Sequence, residues 1–240
     1  MLLYSNRIVV TGGTGRFASS LKKVKSKYSV FFPSKSNLNI LKENSILKYL
    51  KKKKPKYLIH LAGLSRPMSV HNNDIKKSID LNIIGTANIV KICEKLNIKL
   101  IYFSSSYVYP GKKGGYQEND PVLPINNYAL SKLGGECAVQ MYKNSLILRI
   151  CMSEKPFIHK NAFNDVETNF MYHEDFAKNL LKLIDKKGVI NVGGHKQIVL
   201  NFAKKTNPKV KPVSAKKILG KKFPLKQSMN ITKYLKIIKN

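Results

Sequence analysis

A glycine-rich turn directly after a short apolar run constrains the fold of this chain most. The run at 7–11 (RIVVT) predicts a β-strand, and the segment 11–18 (TGGTGRFA) joins it to a helical pattern. Gly12 permits a tight turn, Gly15 lets the backbone and the helix N-terminus approach a pyrophosphate, and Ala18 lets the helix pack closely on the strand. The alternative is an ordinary βα turn. The candidate cofactor-binding residues of this unit are Gly12, Thr14, Gly15, Arg16 and Phe17.

Strand-like and helix-like patterns alternate over the first 150 residues. Further strands are predicted at 28–32, 57–61, 99–104 and 146–150, and helices at 17–24, 43–52, 75–96 and 128–142. This alternation is typical of parallel strands joined by helical crossovers. We therefore predict the α/β class, with a doubly wound, Rossmann-like parallel sheet in a dinucleotide-binding domain at 1–150.

The alternation weakens after Cys151. A helix is predicted at 176–184, a strand at 188–192 and a closing helix at 231–238, with prolines between the last two. A lysine-rich segment of about 90 residues buries little apolar surface by itself. We therefore predict that 151–240 is a small, shortened substrate-binding lobe that partly returns to the sheet.

The charge balance is strongly basic. The chain has 44 Lys and Arg against 13 Asp and Glu, for a formal net charge of +31. Such a charge raises the possibility of a nucleic-acid partner. Recognition of bases and phosphates favours arginine, however, and only four of the basic residues are arginines. We therefore predict no specific nucleic-acid partner and interpret most lysines as compositional background.

The remaining composition indicates a cytoplasmic protein. No apolar stretch reaches the length of a membrane span, and the N-terminus lacks the pattern of a secretory signal. Cys93, Cys137 and Cys151 fit neither a disulfide framework nor a zinc cluster, and the histidines lack metal-ligand spacing. We predict no membrane association and no metal site.

The end of the second predicted strand bears on the choice of cofactor. An acidic residue at this place would bind the ribose 2′-hydroxyl of NAD. Here Phe32 is followed by Pro33, Ser34 and Lys35, without a carboxylate. A hydroxyl and an ammonium suit a 2′-phosphate, to which Arg16 could add a second cation. The sequence thus favours NADP (NADPH), with NAD still possible.

A tyrosine and a lysine one helical turn apart form the second candidate motif. Chance alone produces such pairs in this lysine-rich chain, and three occur: Tyr49/Lys53, Tyr109/Lys113 and Tyr128/Lys132. Only the third begins a predicted helix and follows a strand that ends in serines. An ammonium near a phenol lowers the phenol's pKa, the phenol exchanges a proton with a substrate oxygen, and a serine hydroxyl holds that oxygen.

Several segments together resemble an extended short-chain dehydrogenase/reductase acting on sugar nucleotides, closest to the dTDP-4-dehydrorhamnose reductase type. The matching segments are TGGTGRFAS at 11–19, IHLAG at 59–63, NIIGTANIV at 82–90, IYFSSSYVYPG at 101–111, GYQENDPVLPINNYALSKLGGE at 115–136 and YHEDFAKNL at 172–180. The resemblance implies that Ser105, Tyr128 and Lys132 are catalytic, with Tyr128 as proton donor and Lys132 on the nicotinamide ribose. Further cofactor-binding residues that it and the second strand indicate are Ser34, Lys35, Asn39, Leu61, Ala62, Gly63 and Asn82.

The implied activity is NAD(P)-dependent reduction of a 4-keto nucleotide sugar by a possible homodimer. The interval between Arg149 and His173 is only about half of what this family leads us to expect, so the substrate lobe is shortened. Arg66 and Arg149 follow predicted strands at the ligand-binding edge and are candidate substrate-binding residues. Two alternatives stay open: a nucleotide-sugar epimerase or dehydratase, and a non-catalytic regulatory subunit of the same fold.

Overall fold

A six-stranded parallel sheet forms the centre of the molecule. The structure is a computed structural model, and it describes residues 6–239. The strands of this sheet are β1 (Arg7–Thr11), β2 (Ser29–Phe31), β3 (Tyr57–His60), β4 (Lys99–Ser105), β5 (Ser145–Ile150) and, late in the chain, β10 (Gly188–Val192). Their order is β2-β1-β3-β4-β5-β10, and every pair is parallel. The predicted doubly wound α/β sheet is confirmed, and its order reverses direction between β1 and β3.

Helices cover both faces of this sheet. The helices are α1 (Arg16–Leu21), α2 (Glu43–Lys53), α3 (Val70–Asn73), α4 (Ile75–Ile79), α5 (Gly85–Lys95), α6 (Asn127–Gln140), α7 (His173–Leu180), α8 (Val199–Lys204), α9 (Ala215–Leu219) and α10 (Thr232–Lys239). Of these, α8 and α9 pack in the C-terminal part of the chain and not on this sheet. Ile8 and Val10 of β1 pack with α1, α7 and α10, whereas Val9 packs on the other face with α2, α5 and α6. Alternate side chains of a strand point to opposite faces, so both faces of β1 are buried.

The helix predicted at 75–96 is not regular. Between α4 and α5, residues Asp80–Ile84 form a π-helical segment. A π turn holds one more residue than an α turn, and such segments are frequent at functional sites. Asn82 lies in this segment and is 1% exposed. The wide turn interrupts the helix where it meets the loop after β3.

The C-terminal part contains three small strand pairs. Its strands are β6 (Met152–Ser153), β7 (Asn161–Phe163), β8 (Glu167–Thr168), β9 (Met171–Tyr172), β11 (Gln197–Ile198) and β12 (Lys211–Val213), paired as β6-β9, β8-β11 and β7-β12. A separate cluster of buried side chains that includes Phe157, Tyr172 and Phe202 holds them together. The chain returns to the main sheet through β10, and the domain limits at 1–150 and 151–240 stay a prediction. Within residues 6–239 no helix is long and apolar enough to cross a membrane.

Candidate active site

A large cavity opens at the carboxyl ends of the central strands, beside the place where the strand order reverses. Ligands of open α/β sheets bind at this position. Its volume is about 1270 Å³, which is ample for a dinucleotide or a nucleotide sugar. The predicted residues in its wall are Gly12, Gly15, Arg16, Phe17, Leu61, Gly63, Arg66, Ser105, Tyr128 and Lys132. The predicted cofactor residues outside the wall are Thr14, Ser34, Lys35, Asn39, Ala62 and Asn82.

The glycine turn has the close backbone approach that its sequence predicts. Gly12 has φ +68°, and a Cβ there would lie 2.7 Å from the backbone N of Ala62. The Gly15 N–H donates to the Gly12 carbonyl at 2.9 Å, and Gly15 caps the N-terminus of α1. A Cβ on Gly15 would contact only this carbonyl, so its remaining surface is open towards the cavity. This cradle fits the pyrophosphate of a dinucleotide against the positive end of α1.

Asn82 joins the loop after β3 to the helix that carries Tyr128. Its Oδ1 accepts from the Leu64 N–H at 2.7 Å, and its Nδ2 donates to the Leu64 carbonyl at 2.9 Å and to Ser131 Oγ at 2.8 Å. A Cβ on Gly63 would lie 2.7 Å from Asn82 Oδ1. Asn82, predicted as a cofactor-binding residue, thus supports the cavity wall from behind and is not part of the wall itself.

A buried hydrogen-bond chain fixes the floor beside this loop. Thr86 Oγ1 donates to the Asn82 carbonyl at 2.8 Å, so it accepts from His60 Nε2 at 3.1 Å. His60 Nδ1 then accepts from Thr11 Oγ1 at 2.7 Å. Burial, followed by the charge of Lys132, lowers the pKa of His60 to about 3. The ring is neutral, and both of its nitrogens are engaged in hydrogen bonds within the fold.

Alternate side chains of β4 point to opposite faces of the sheet, so Ser104 and Ser105 have different neighbours. Ser104 Oγ donates to the buried carboxylate of Glu136 at 2.5 Å. Ser105 is offset by one residue, accepts from the Tyr107 N–H at 3.2 Å, and lines the cavity together with Tyr128, whose pKa it lowers. The structure thus brings together Ser105 and Tyr128, the pair that the resemblance implies.

Tyr128 lies in the first turn of α6. Asn126 caps this helix by accepting from the Ala129 N–H at 2.8 Å. Burial raises the pKa of Tyr128, while the hydrogen bond with Ser105 and the charges of Arg66 and Arg16 partly offset the rise. The offsetting cations are therefore guanidiniums, where the sequence had suggested the Lys132 ammonium.

Lys132 lies one helical turn after Tyr128 and is 9% exposed. Its Nζ is 4.2 Å from the ring centroid of Tyr102. Burial lowers the pKa of Lys132 to about 7, although the Glu136 carboxylate one turn further on raises it. The ammonium is thus poorly solvated, and a hydroxyl or phosphate brought by a ligand would stabilise its charge.

The segment after β2 is placed near the glycine turn. A Cβ on Gly13 would lie 2.7 Å from Phe32 Cβ, two residues before Ser34. Ser34 Oγ donates to Asn37 Oδ1 at 2.9 Å, and Lys35 is exposed. Asn39 organises its own loop, because its Oδ1 accepts from the Leu41 N–H.

Arg16 lies away from Lys35, so it is not placed to be the second cation beside a 2′-phosphate. Its guanidinium donates to Ser65 Oγ at 3.0 Å and pairs with Glu154 at 3.1 Å, on the other side of the glycine turn. Lys22 was not predicted, yet its Nζ lies 5.2 Å from the ring centroid of Phe32. Lys22 is therefore better placed than Arg16 beside the end of β2.

The prediction that Arg149 binds substrate is wrong. Its guanidinium is only 5% exposed and pairs with the fully buried Glu136 at 2.6 Å. It also donates to Tyr109 Oη at 2.7 Å and to the Glu118 carbonyl at 3.0 Å. Arg149 follows the same alternation as Ser104 and points towards α6, so it holds that helix against the sheet.

Two further cavity neighbours were missed. Glu154, directly after β6, accepts from Arg66 at 2.9 Å and lines the cavity. His71 of α3 is 1% exposed, lies 5.1 Å from the Tyr128 ring centroid, and bonds through Nδ1 to Ser78 Oγ at 2.7 Å. The position of Glu154 at the carboxyl edge was a usable signal, whereas nothing in the sequence singles out His71.

Metal binding finds no support among the described side chains. Within residues 6–239, no group of three or more His, Cys, Asp or Glu could hold an ion.

Known proteins share this fold and parts of this sequence. The chain is 32% identical over 156 residues to methionine adenosyltransferase 2 subunit beta of Xenopus laevis, covering 61% of this chain and 46% of that protein. It is 24% identical over 190 residues to dTDP-4-dehydrorhamnose reductase of Aggregatibacter actinomycetemcomitans, covering 78% of this chain and 60% of that one. The chain thus spans roughly half the length of these curated relatives.

Solved structures extend the likeness over nearly the whole chain. The dTDP-4-dehydrorhamnose reductase of Bacillus anthracis, in complex with NADP, superposes with a TM-score of 0.84 at 21% identity, covering 96% of this chain and 92% of that one. At this identity the superposition shows a common fold. The model of the RmlD substrate binding domain family matches residues 6–197. These matches confirm the resemblance inferred from the motifs, and the chain belongs to the RmlD substrate binding domain family.

Proposed function

We propose that the chain is an NADP-preferring oxidoreductase that reduces a 4-keto nucleotide sugar. The observation that carries this proposal is the convergence of Ser105, Tyr128 and Lys132 on the cavity that the glycine turn also lines. The relatives named as dTDP-4-dehydrorhamnose reductases support the substrate class. A bound nicotinamide cofactor would supply the hydride.

Each of the three side chains has a separate task. Ser105 donates a hydrogen bond to the ketone oxygen and keeps it within reach of Tyr128. Tyr128 gives its phenolic proton to that oxygen as the carbonyl becomes an alcohol, and water later restores the proton. The charges of Arg66 and Arg16 stabilise the phenolate that remains. Lys132 binds the nicotinamide ribose, whose hydroxyl oxygens accept hydrogen bonds from its buried ammonium.

The decisive experiment follows NADPH absorbance with dTDP-4-dehydrorhamnose as substrate. We expect consumption of NADPH, slower turnover with NADH, and no turnover by the Tyr128→Phe variant. Bound cofactor that is never consumed, with interconversion of sugar epimers or loss of water, would instead identify the epimerase or dehydratase alternative. If the chain neither consumes NADPH nor converts the sugar by epimerisation or loss of water, an enzymatic function in this class is refuted.

A second candidate is a non-catalytic subunit, because curated relatives are named as the beta subunit of methionine adenosyltransferase. Retention of Ser105, Tyr128 and Lys132 favours the enzyme. Sedimentation of the purified chain with a methionine adenosyltransferase separates the two. A stable complex together with absent reductase activity would favour the subunit, and free sedimentation with activity would favour the reductase.

A further inference from the structure

Three side chains from distant parts of the chain meet at the mouth of the cavity. Arg16 follows the glycine turn, Arg66 lies in the loop after β3, and Glu154 follows β6. A single carboxylate oxygen, Glu154 Oε1, receives Arg66 at 2.9 Å and Arg16 at 3.1 Å. We call this group the Arg16–Glu154–Arg66 clasp.

The clasp is more exposed to the cavity than the buried ion pair between Glu136 and Arg149. The Glu136 and Arg149 side chains are 0% and 5% exposed, and both oxygens of Glu136 accept hydrogen bonds. In the clasp, by contrast, Arg16 and Arg66 are 47% and 33% exposed on the cavity. Each guanidinium has five N–H donors, so donors remain for a ligand.

Among residues 6–239, the carboxylate of Glu154 has hydrogen-bond partners on only one of its two oxygens. Its side chain is 16% exposed. Its Oε2 is buried and accepts no hydrogen bond from residues 6–239. A buried acceptor without a donor is unfavourable, so this carboxylate would gain hydrogen bonds by turning towards solvent. The next residue, Lys155, is exposed, and it begins an irregular stretch that reaches β7. The clasp is therefore closed through one carboxylate oxygen, Glu154 Oε1, which both arginines share.

We propose that Arg16 and Arg66 form a diphosphate subsite and that Glu154 is its internal competitor. The two guanidiniums already converge on one anionic oxygen, which is the arrangement that a phosphate oxygen requires. A diphosphate carries more charge than the carboxylate and can use the spare donors of both arginines. Arg16, Arg66 and Tyr128 line the same cavity, so a ligand held by the two arginines shares that cavity with the proposed proton donor. The identity of the ligand rests on the proposed function, whereas the competition by Glu154 does not.

The test measures binding of thymidine diphosphate by isothermal titration to the full chain at low ionic strength. Glu154→Gln keeps the shape of the side chain and removes its charge, so we expect about tenfold tighter binding. Arg66→Gln should bind about tenfold more weakly, and the double variant should lose the gain. Glu43→Gln is the matched control, because Glu43 pairs with Lys91 on the surface of α2 and should leave binding unchanged.

NADPH provides the second arm, because the cofactor also carries a diphosphate. A gain for thymidine diphosphate assigns the subsite to the substrate, and a gain for NADPH alone overturns that assignment. Unchanged or weaker binding of both ligands by Glu154→Gln overturns the competition itself. Should this variant unfold, Glu154→Asp withdraws the carboxylate from both arginines and should give a smaller gain. These readouts need no turnover, so inactivity of the wild-type chain would count only against the proposed reductase.

Discussion

At the scale of single residues, we expect Tyr128 and Lys132 to have separable functions. Tyr128→Phe should lower turnover by about 10²–10⁴-fold, because the phenolic proton is needed only during reduction. Binding of NADPH should change little in this variant, whereas Lys132→Ala should weaken both turnover and cofactor binding. Steady-state kinetics and titration with NADPH measure the two effects.

Tyr49→Phe is the matched control for this pair. Tyr49 also precedes a lysine by four residues, but it lies on α2 and is not part of the cavity wall. Its substitution should leave kcat unchanged. Equal damage from Tyr49→Phe would remove the reason for choosing Tyr128. Tyr109 is unsuitable as a control, because its hydroxyl accepts from Arg149 inside the core.

We expect Lys35 to set a preference for NADPH over NADH. One cation on a 2′-phosphate is worth about 1–2 kcal/mol, or roughly five- to thirtyfold in affinity. Lys35→Glu should therefore shift the preference from NADPH towards NADH in calorimetric titrations. Lys178→Glu on α7 makes the same charge change elsewhere and should preserve the preference. Tighter wild-type binding of NADH would contradict this assignment.

The buried Lys132 also links folding to pH. Its pKa falls from 10.5 to about 7 in the folded chain. Between these values the unfolded chain holds the proton and the folded chain does not, so stability rises with pH across this window. Below about pH 7 both states are protonated and the dependence ends. Urea unfolding from pH 6 to 10 should show a steeper rise for the wild type than for Lys132→Met, and parallel curves would argue against the shift.

At the scale of elements, the ion pair between Glu136 and Arg149 fixes α6 against β5. Arg149→Met should lower the free energy of unfolding by about 3–5 kcal/mol, because it leaves a buried carboxylate without its partner. Glu136→Gln in the same chain should restore part of the loss. Urea unfolding measures both, with Lys91→Met as an exposed control that should cost under about 0.5 kcal/mol. A neutral Arg149→Met that weakens only ligand binding would revive the substrate-contact interpretation.

The sequence predicted elements whose periodicity spans several residues. The strand predicted at 188–192 agrees with Gly188–Val192, and the helix at 43–52 with Glu43–Lys53. It missed the pairs formed by β6, β8, β9 and β11, because two residues carry no alternation. Helical periodicity also could not reveal the widened turn at Asp80–Ile84.

In the candidate site, too, the sequence predicted the local features and missed those assembled from distant segments. Local motifs predicted the glycine turn and the Tyr128–Lys132 turn of α6, since each lies within one stretch of chain. The clasp was beyond prediction because its three side chains come from segments about 50 and 88 residues apart, and only the fold brings them together. Arg149 was misassigned because proximity to the carboxyl edge was considered without the alternation that turns its side chain towards Glu136.

At the scale of the whole molecule, the net charge of +31 produces a field around the protein. We expect most of this field to be diffuse, because lysines are spread along the chain. Duplex DNA should therefore bind weakly, without sequence preference, and release near physiological salt as counterions compete. Fluorescence anisotropy across a salt series measures this. Nanomolar, sequence-specific binding at 150 mM salt would overturn the prediction. The homodimer expected from the resemblance stays a prediction, which sedimentation can check.

The widened turn at Asp80–Ile84 acts as a one-residue insertion that the helix has absorbed. A helix turns by about 100° per residue, so this turn sets the direction of α4 separately from that of α5. Ile75 and Ile79 accordingly remain exposed, while Ile89 and Ile92 enter the core. Loss of one residue here would rotate α4, together with the adjoining α3, relative to the sheet. A single deletion within this helix would therefore remodel the mouth of the cavity and leave the parallel strands in register.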